Sequence, residues 1–339
     1  MRYDDDAQLD ASEVTDQRGS GGSSGGGGLG GGFGGGGGGG GLVALIIGML
    51  LRGRGGKASL GVIVLAVIAF LAVQFLGGGG GTTTNVAGGF GDPGGPAQVG
   101  TGDLASECRT GADANAKLDC AIVADINSIQ AYWAGGGYAR AASVVRGAQP
   151  TYQRVDTVFF SGGVRTACGS ADSSAGPFYC PGDNLVYIDL TFYDQLQQQF
   201  GAQGGPLVNA YVLAHEYGHH VQAQLGTEAK VRSRQGATSD SVRLELQADC
   251  YAGVWMNHAS QPVGGRPAFF QDINQADLDS AVDAAQRIGD DYIQGKLGGG
   301  TVNPDSFTHG SSEQRKRWLT TGFTGGDPTR CDTFATNAL

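Results

Sequence analysis

The sequence predicts an α+β domain that is mostly helical, carries a small sheet and follows one membrane-spanning helix. The helical part of this prediction rests on segments after residue 103 in which apolar residues recur every three or four positions. The sheet rests on two short runs rich in β-branched and aromatic residues, 157–160 and 185–190. The membrane helix rests on an almost unbroken apolar run at 60–76.

The apolar periodicity also gives approximate bounds for the helices. They are expected over about 112–133, 193–200, 207–225, 240–258, 275–297 and 311–321. The strand at 185–190 reads LVYIDL and follows a Pro-Gly-Asp-Asn turn. An exposed sheet edge can bind a peptide as an added strand, so LVYIDL is a candidate substrate-binding edge, with an interior strand as the equal alternative.

Composition divides the chain into four regions. Of 339 residues, 63 are glycine, and eighteen of these fall within 19–41, a tract with nothing to bury. Residues 1–59 are therefore expected to form a disordered, acidic and Gly-rich tail, and residues 77–102 a second Gly-rich linker. Residues 103–339 have an ordinary globular composition, and about 235 residues are enough for one domain with its own core.

The apolar run Leu60–Leu76 has one polar member, Gln74, and is expected to form a transmembrane helix. A cleaved signal peptide is the alternative. The earlier run Leu42–Leu51 is too short to span a bilayer. Three basic residues lie between the two runs, so the positive-inside rule predicts a cytoplasmic N-terminus and places residues 103–339 outside the cytoplasm.

Charge and cysteine content limit the partners and the compartment. The formal charge is −10, which argues against nucleic acid as a partner. The six cysteines form no C-x-x-C pair, and their even number suggests three disulfides in an oxidising compartment. Six free buried thiols are the alternative. Spacing favours the pairs Cys108–Cys120, Cys168–Cys180 and Cys250–Cys331.

The stretch His215-Glu216-Tyr217-Gly218-His219 is an H-E-x-x-H motif. Two histidines four residues apart fall on one face of a helix, where they can hold one zinc ion. Glu216 then lies beside the metal, where it can take a proton from an activated water. A chance match of five residues is the alternative, because two positions of the motif are free.

Glu245 and Asp249 are also four residues apart, on the next predicted helix. A catalytic zinc site takes three protein ligands and leaves one position open, so Glu245 is the candidate third ligand. Asp249 is expected to accept the far N–H of a ligand histidine, His215 being the favoured one. A solvated helix face is the alternative for both carboxylates, although their neighbours are largely apolar.

These residues resemble the bacterial neutral zinc metallopeptidases that are anchored by one N-terminal span. They are also similar to the wider gluzincin-like peptidases, which pair H-E-x-x-H with a downstream glutamate. The resemblance covers most of 103–339 together with the Gly-rich tail and the apolar run, and it implies a zincin-like fold. It is carried by the segments FYCPGD (178–183), LVYIDL (185–190), HEYGHH (215–220), ELQADC (245–250) and THGSSEQR (308–315).

The last of these segments is similar to a His-then-Arg element of related membrane-associated metallopeptidases, where both residues help to hold the oxyanion. The resemblance therefore implies that role for His309 and Arg315. The sequence-based hypothesis is a membrane-anchored peptidase with one Zn²⁺ and Glu216 as general base, acting on protein or peptide substrates outside the cytoplasm. A zinc hydrolase of a cell-wall amide and a non-catalytic scaffold or chaperone are the alternatives.

Overall fold

A computed structural model describes residues 1–18, 103–263 and 265–339. Within these ranges no helix has the length and apolar character needed to cross a bilayer. The apolar runs Leu42–Leu51 and Leu60–Leu76, most of the expected tail and the linker at 77–102 lie outside the described residues.

The described domain is α+β, as the sequence predicts, with helices that outweigh the strands. The α-helices are α1 Leu104–Glu107, α2 Gly111–Ala116, α3 Leu118–Tyr132, α4 Tyr138–Ala142, α5 Phe192–Gln198, α6 Pro206–Leu225, α7 Asp240–His258, α8 Gln275–Arg287, α9 Asp290–Tyr292 and α10 Ser312–Gly325. The strands are β1 Arg2–Tyr3, β2 Val14–Asp16, β3 Thr157–Phe159, β4 Gly163–Thr166, β5 Gly169–Asp172, β6 Phe178–Cys180, β7 Leu185–Ile188 and β8 Phe270–Gln271.

The main sheet has four strands in the order β2-β3-β7-β6. The first three run parallel to one another, and β6 is antiparallel to β7. The LVYIDL segment therefore forms an interior strand, so the hypothesis that it binds substrate along a sheet edge is wrong. The edge on that side of the sheet is β6, from Phe178 to Cys180.

Helices α6 and α7 pack against each other in the centre of the domain, and α10 packs on α7. The largest wholly buried side chains near them include Tyr211, Tyr217 and Trp255. The expected helix over 275–297 is broken into α8, α9 and a following π turn, because Ile288 and Gly289 leave the helical path. Three disulfides confirm the pairs that spacing favours, Cys108–Cys120, Cys168–Cys180 and Cys250–Cys331.

Residues 1–18 differ from the disordered tail expected for 1–59. Strand β1 pairs with β8, and β2 pairs in parallel with β3 to form one edge of the main sheet. The Tyr3 side chain is buried, and its hydroxyl donates to Asp125 Oδ1 at 2.9 Å. The acidic residues suggested solvation, but the apolar side chains between them supply the contacts that order the segment. Residues 19–59 lie outside the described residues.

Replacing Tyr3 with phenylalanine tests whether this segment contributes to stability. Asp125 is fully buried, its other oxygen has no partner among the described residues, and burial raises the pKa of its carboxyl well above the ordinary value. Tyr3→Phe removes the hydrogen bond that Asp125 accepts from the Tyr3 hydroxyl, so we expect the free energy of unfolding to fall by about 1–3 kcal/mol. Denaturant titration of the purified protein measures this change.

Tyr138→Phe is the matched control, because Tyr138 is equally buried and its hydroxyl makes no hydrogen bond to another described residue. We expect this control to lose clearly less stability. Equal losses in the two variants would contradict a specific contribution from the Tyr3–Asp125 contact.

Candidate functional site

Helix α6 carries the H-E-x-x-H motif. It begins with Pro206 at its first turn and ends at Gly226 in the left-handed conformation, both common helix-terminal choices. Within it, a Cβ atom on Gly218 would lie 3.0 Å from the Ala248 Cα of α7. Glycine therefore lets the two helices approach closely, which brings the histidines of α6 to the carboxylates of α7.

The structure brings His215, His219 and Glu245 together. One ligand atom from each lies within 4.8 Å of the other two. His215 Nε2 is 3.2 Å from Glu245 Oε2, and His219 Nε2 is 3.6 Å from Glu245 Oε1. Ligands at tetrahedral zinc are about 2.0–2.1 Å from the metal and so about 3.3 Å apart. The donor types and their spacing therefore fit one zinc ion.

The other nitrogen of each histidine ring is held by a neighbouring side chain. His215 Nδ1 is 2.8 Å from Asp249 Oδ1, and His219 Nδ1 is 2.9 Å from Gln222 Oε1. These contacts turn both Nε2 atoms toward Glu245. Such partners fix the ring orientation and the tautomer of a metal-binding histidine.

The electrostatic environment of these ligands favours a cation. Burial opposes protonation of His215, yet Asp249 and Glu245 raise its pKa to about 10. Burial likewise opposes ionisation of Glu245, but the two histidines, His219 most strongly, hold the pKa of its carboxyl far below its usual range. The negative potential that retains a proton on His215 is the potential that a zinc ion would meet at the same place.

Glu216 lies in the same cleft and contacts the sheet. Its Oε2 accepts a hydrogen bond of 3.0 Å from the Tyr179 backbone N–H on β6. Burial raises the pKa of its carboxyl to about 7. A group with a pKa near neutrality can both accept and return a proton at physiological pH, as a general base must.

His309 is held by a carboxylate that the sequence analysis did not identify, Asp290. The backbone N–H groups of Thr308, His309 and Gly310 all donate to Asp290 Oδ2, at 2.7 to 3.0 Å. His309 Nδ1 is 3.2 Å from Asp290 Oδ1. Its Nε2 is buried, lines the cleft and has no hydrogen-bond partner among the described residues. Burial opposes the charged form, but Asp290 raises the pKa of His309 overall.

The Arg315 guanidinium is buried and forms hydrogen bonds with three neighbouring residues. It donates to both oxygens of Asp249 at 2.9 Å, to the Tyr211 hydroxyl and to the backbone carbonyl of Ile288. All three guanidinium nitrogens therefore have partners behind His215. These hydrogen bonds orient Asp249 and, through it, the His215 ring. Arg315 also lines the cleft, so the oxyanion role implied for it stays a prediction.

The cleft around these groups is mostly apolar and encloses about 110 Å³. Its apolar wall is formed by Phe192, Phe200, Val212, Leu244, Ile288 and Ile293. The backbone of β6 borders the same space through Phe178 and Tyr179. An apolar wall of this kind can contact an apolar group of a ligand.

Three supporting side chains escaped the sequence analysis, and helical spacing could have identified two of them. Tyr211 lies one turn before His215 on the same face of α6, so its spacing could have identified it. Gln222 has the same relation to His219, three residues on. Asp290 has no such signal, because it reaches His309 from another helix only in the folded chain.

Comparison with known proteins agrees with this geometry. A family model described as "Putative neutral zinc metallopeptidase" matches residues 1–334. The uncharacterized protein Rv2575 of Mycobacterium tuberculosis is 46% identical over 234 residues, which cover 68% of this chain and 75% of that protein. The uncharacterized protein YpfJ of Escherichia coli K12 is 50% identical over 190 residues, which cover 54% of this chain and 63% of that protein.

No solved structure gives a significant match. The family match nonetheless covers almost the whole chain, including the N-terminal residues as well as the zinc-ligand motif. The chain therefore belongs to the neutral zinc metallopeptidase family.

Proposed function

We propose that the protein is a zinc-dependent peptidase that hydrolyses peptide bonds with Glu216 as general base. The observation that carries this proposal is the convergence of three groups on one cleft. They are the ligand set of His215, His219 and Glu245, the Glu216 carboxyl, and the free Nε2 of His309. Each has the chemistry that amide hydrolysis requires, and each is oriented by its own buried partner.

Zinc held by the three ligands supplies Lewis acidity, which polarises a carbonyl and lowers the pKa of a water. Glu216 accepts the proton of the attacking water and returns it to the leaving nitrogen. Its hydrogen bond to the Tyr179 N–H keeps the carboxylate in place during both transfers. The imidazolium form of His309, which Asp290 favours, donates through Nε2–H to the developing oxyanion.

The unpaired side of β6, which borders the cleft, supports a peptide as the substrate. Strand β7 pairs with only one side of β6, and the Tyr179 N–H on the other side points at Glu216. Pro177 and Pro181 flank β6, and proline restricts strand pairing to a short stretch. A substrate strand added there would carry its scissile bond past the base, with main-chain hydrogen bonds supplying affinity.

We further propose that the domain works outside the cytoplasm in association with a membrane. The three disulfides support an oxidising compartment, and the apolar run Leu60–Leu76 supports membrane attachment. A cell-wall amide is the alternative substrate that the sequence left open. Digests of a peptide library and of peptidoglycan, compared side by side, distinguish the two substrate classes.

The first prediction concerns the general base. Glu216→Gln keeps the size of the side chain and its acceptor oxygen for the Tyr179 N–H but cannot take a proton. We expect loss of at least about 10²–10⁴-fold in kcat, the range that general-base catalysis contributes. Zinc content and thermal stability should stay at the wild-type level. A variant that cleaves peptides as fast as wild type would contradict the assignment of Glu216.

The second prediction concerns the third zinc ligand. Glu245→Gln replaces an anionic ligand with a neutral amide, so we expect zinc affinity to fall by at least about 10–100-fold, as even weaker perturbations of zinc sites do. Competition with a chromophoric chelator measures this affinity. Glu228→Gln is the matched control, because Glu228 lines the same cleft but is not in the ligand group. Equal zinc affinity of the Glu245 variant and wild type would exclude Glu245 as a ligand.

The third prediction concerns Asp290 and His309. His309→Ala should lower kcat about 10²–10³-fold, as loss of an oxyanion donor does, with little change in zinc content. Asp290→Asn should lower kcat less and in the same direction, because the ring would lose the carboxylate that favours its charged form. Since Asp290 acts through His309, adding Asp290→Asn to His309→Ala should have little further effect on kcat. Independent, additive losses would indicate that Asp290 has only a structural role.

A further inference from the structure

The surface of the catalytic domain contains a groove that is filled by residues 1–18, here called the N-terminal segment. Backbone hydrogen bonds join the two along most of its length, beyond the pairing of β1 and β2. The Asp4 N–H donates to the Phe269 carbonyl, the Leu9 N–H to the Arg109 carbonyl, and the Gln17 N–H to the Phe159 carbonyl. The segment is therefore bound as part of the fold.

The groove fits the segment closely at its bottom. Tyr3 and Ala7 are 2% and 5% exposed. The Gly111 N–H donates to the Ala7 carbonyl, and a Cβ atom on Gly111 would lie only 1.8 Å from the Asp4 carbonyl oxygen. Only glycine allows this approach, so the domain is shaped around the segment.

Two asparagines of the domain bind the backbone of the segment, and each side-chain amide both accepts and donates a hydrogen bond. Asn115 accepts from the Tyr3 N–H and donates to the Tyr3 carbonyl. Asn127 accepts from the Asp10 N–H and donates to the Asp10 carbonyl. Each asparagine thus binds the N–H and the C=O of one residue, and its amide would lose both partners if the segment were elsewhere.

Charged side chains complete the interface at its far end. The Arg18 guanidinium is buried, lies 5.2 Å from the centre of the Phe159 ring and is 3.4 Å from the Asp119 carboxylate. Glu13 forms an ion pair with Arg154, next to the strand that β2 extends. Removing only one partner of a buried ion pair is strongly destabilising, because the other charge stays buried.

We infer that the N-terminal segment and residues 103–339 fold together in one compartment. A segment on the far side of a membrane cannot pair with β3 and β8 or bind Asn115 and Asn127. A single crossing between the two parts would separate them, as would cleavage by a signal peptidase. This inference is an alternative to the single-span topology expected from sequence, and it is independent of the proposed catalytic activity.

Single cysteines on the two parts test this inference in the full-length protein within its own cell type. Asp6→Cys lies on the N-terminal segment, where residue 6 is exposed and its side chain makes no hydrogen bond. Val144→Cys lies on the catalytic domain, where residue 144 is 64% exposed. All six native cysteines are paired, so each variant adds one free thiol. Both are treated with a membrane-impermeant maleimide before and after permeabilisation, and detergent-solubilised protein defines full labelling.

We expect the two thiols to label under the same condition. Labelling of both in intact cells would support the inference together with an extracytoplasmic domain. Labelling of both only after permeabilisation would still support it, but would exclude the proposed location of the domain. Labelling of the two thiols under opposite conditions would overturn the inference. So would mass spectrometry showing that the mature, active protein has been cut between residues 18 and 103 and lacks the N-terminal segment.

Discussion

The close packing of α6 on α7 at Gly218 is the constraint on which the site depends. It places two histidines beside two buried carboxylates, a combination that leaves excess negative charge inside the protein. A buried charge without compensation is costly, and the buried Arg315 guanidinium compensates one of the two carboxylates, Asp249. A zinc ion held by the two histidines and Glu245 would compensate the other carboxylate, which agrees with the raised pKa of His215 that Asp249 and Glu245 cause against the effect of burial.

Asp249 links this centre to the rest of the domain. Its carboxylate accepts from Arg315 and from the Tyr211 hydroxyl and also contacts His215 Nδ1. Burial raises the pKa of Asp249, but Arg315 and His215 together lower it to about 2, so the carboxylate stays charged. The next residue, Cys250, is bonded to Cys331 beyond α10. This disulfide joins the segment after α10, the helix that carries Arg315, to α7 at the residue next to Asp249.

The sequence predicted the parts of this structure that depend on short-range patterns. Helical spacing alone gave α6 and α7 nearly to their ends and placed His215, His219, Glu245 and Asp249 on facing sides. Helical spacing could not identify Asp290. Its role depends on the interruption of the helix after α8, which turns its carboxylate toward the loop that carries His309. Composition was misleading for residues 1–18, because their contacts are with residues about one hundred or more positions away.

The two edges of the main sheet show how the N-terminal segment and the site are connected. Strand β2 covers β3, and β3 contacts the motif helix directly, since the hydroxyls of Thr157 and Tyr217 share a hydrogen bond of 2.8 Å. Without β2, strand β3 would become an exposed edge of the sheet. Exposed edges can pair with strands of other chains. With β2 in place, β6 is the unpaired edge of the described sheet, and its Tyr179 N–H donates to the Glu216 carboxylate. The N-terminal residues therefore cover one edge of the main sheet, and the edge that stays unpaired is the one that contacts Glu216.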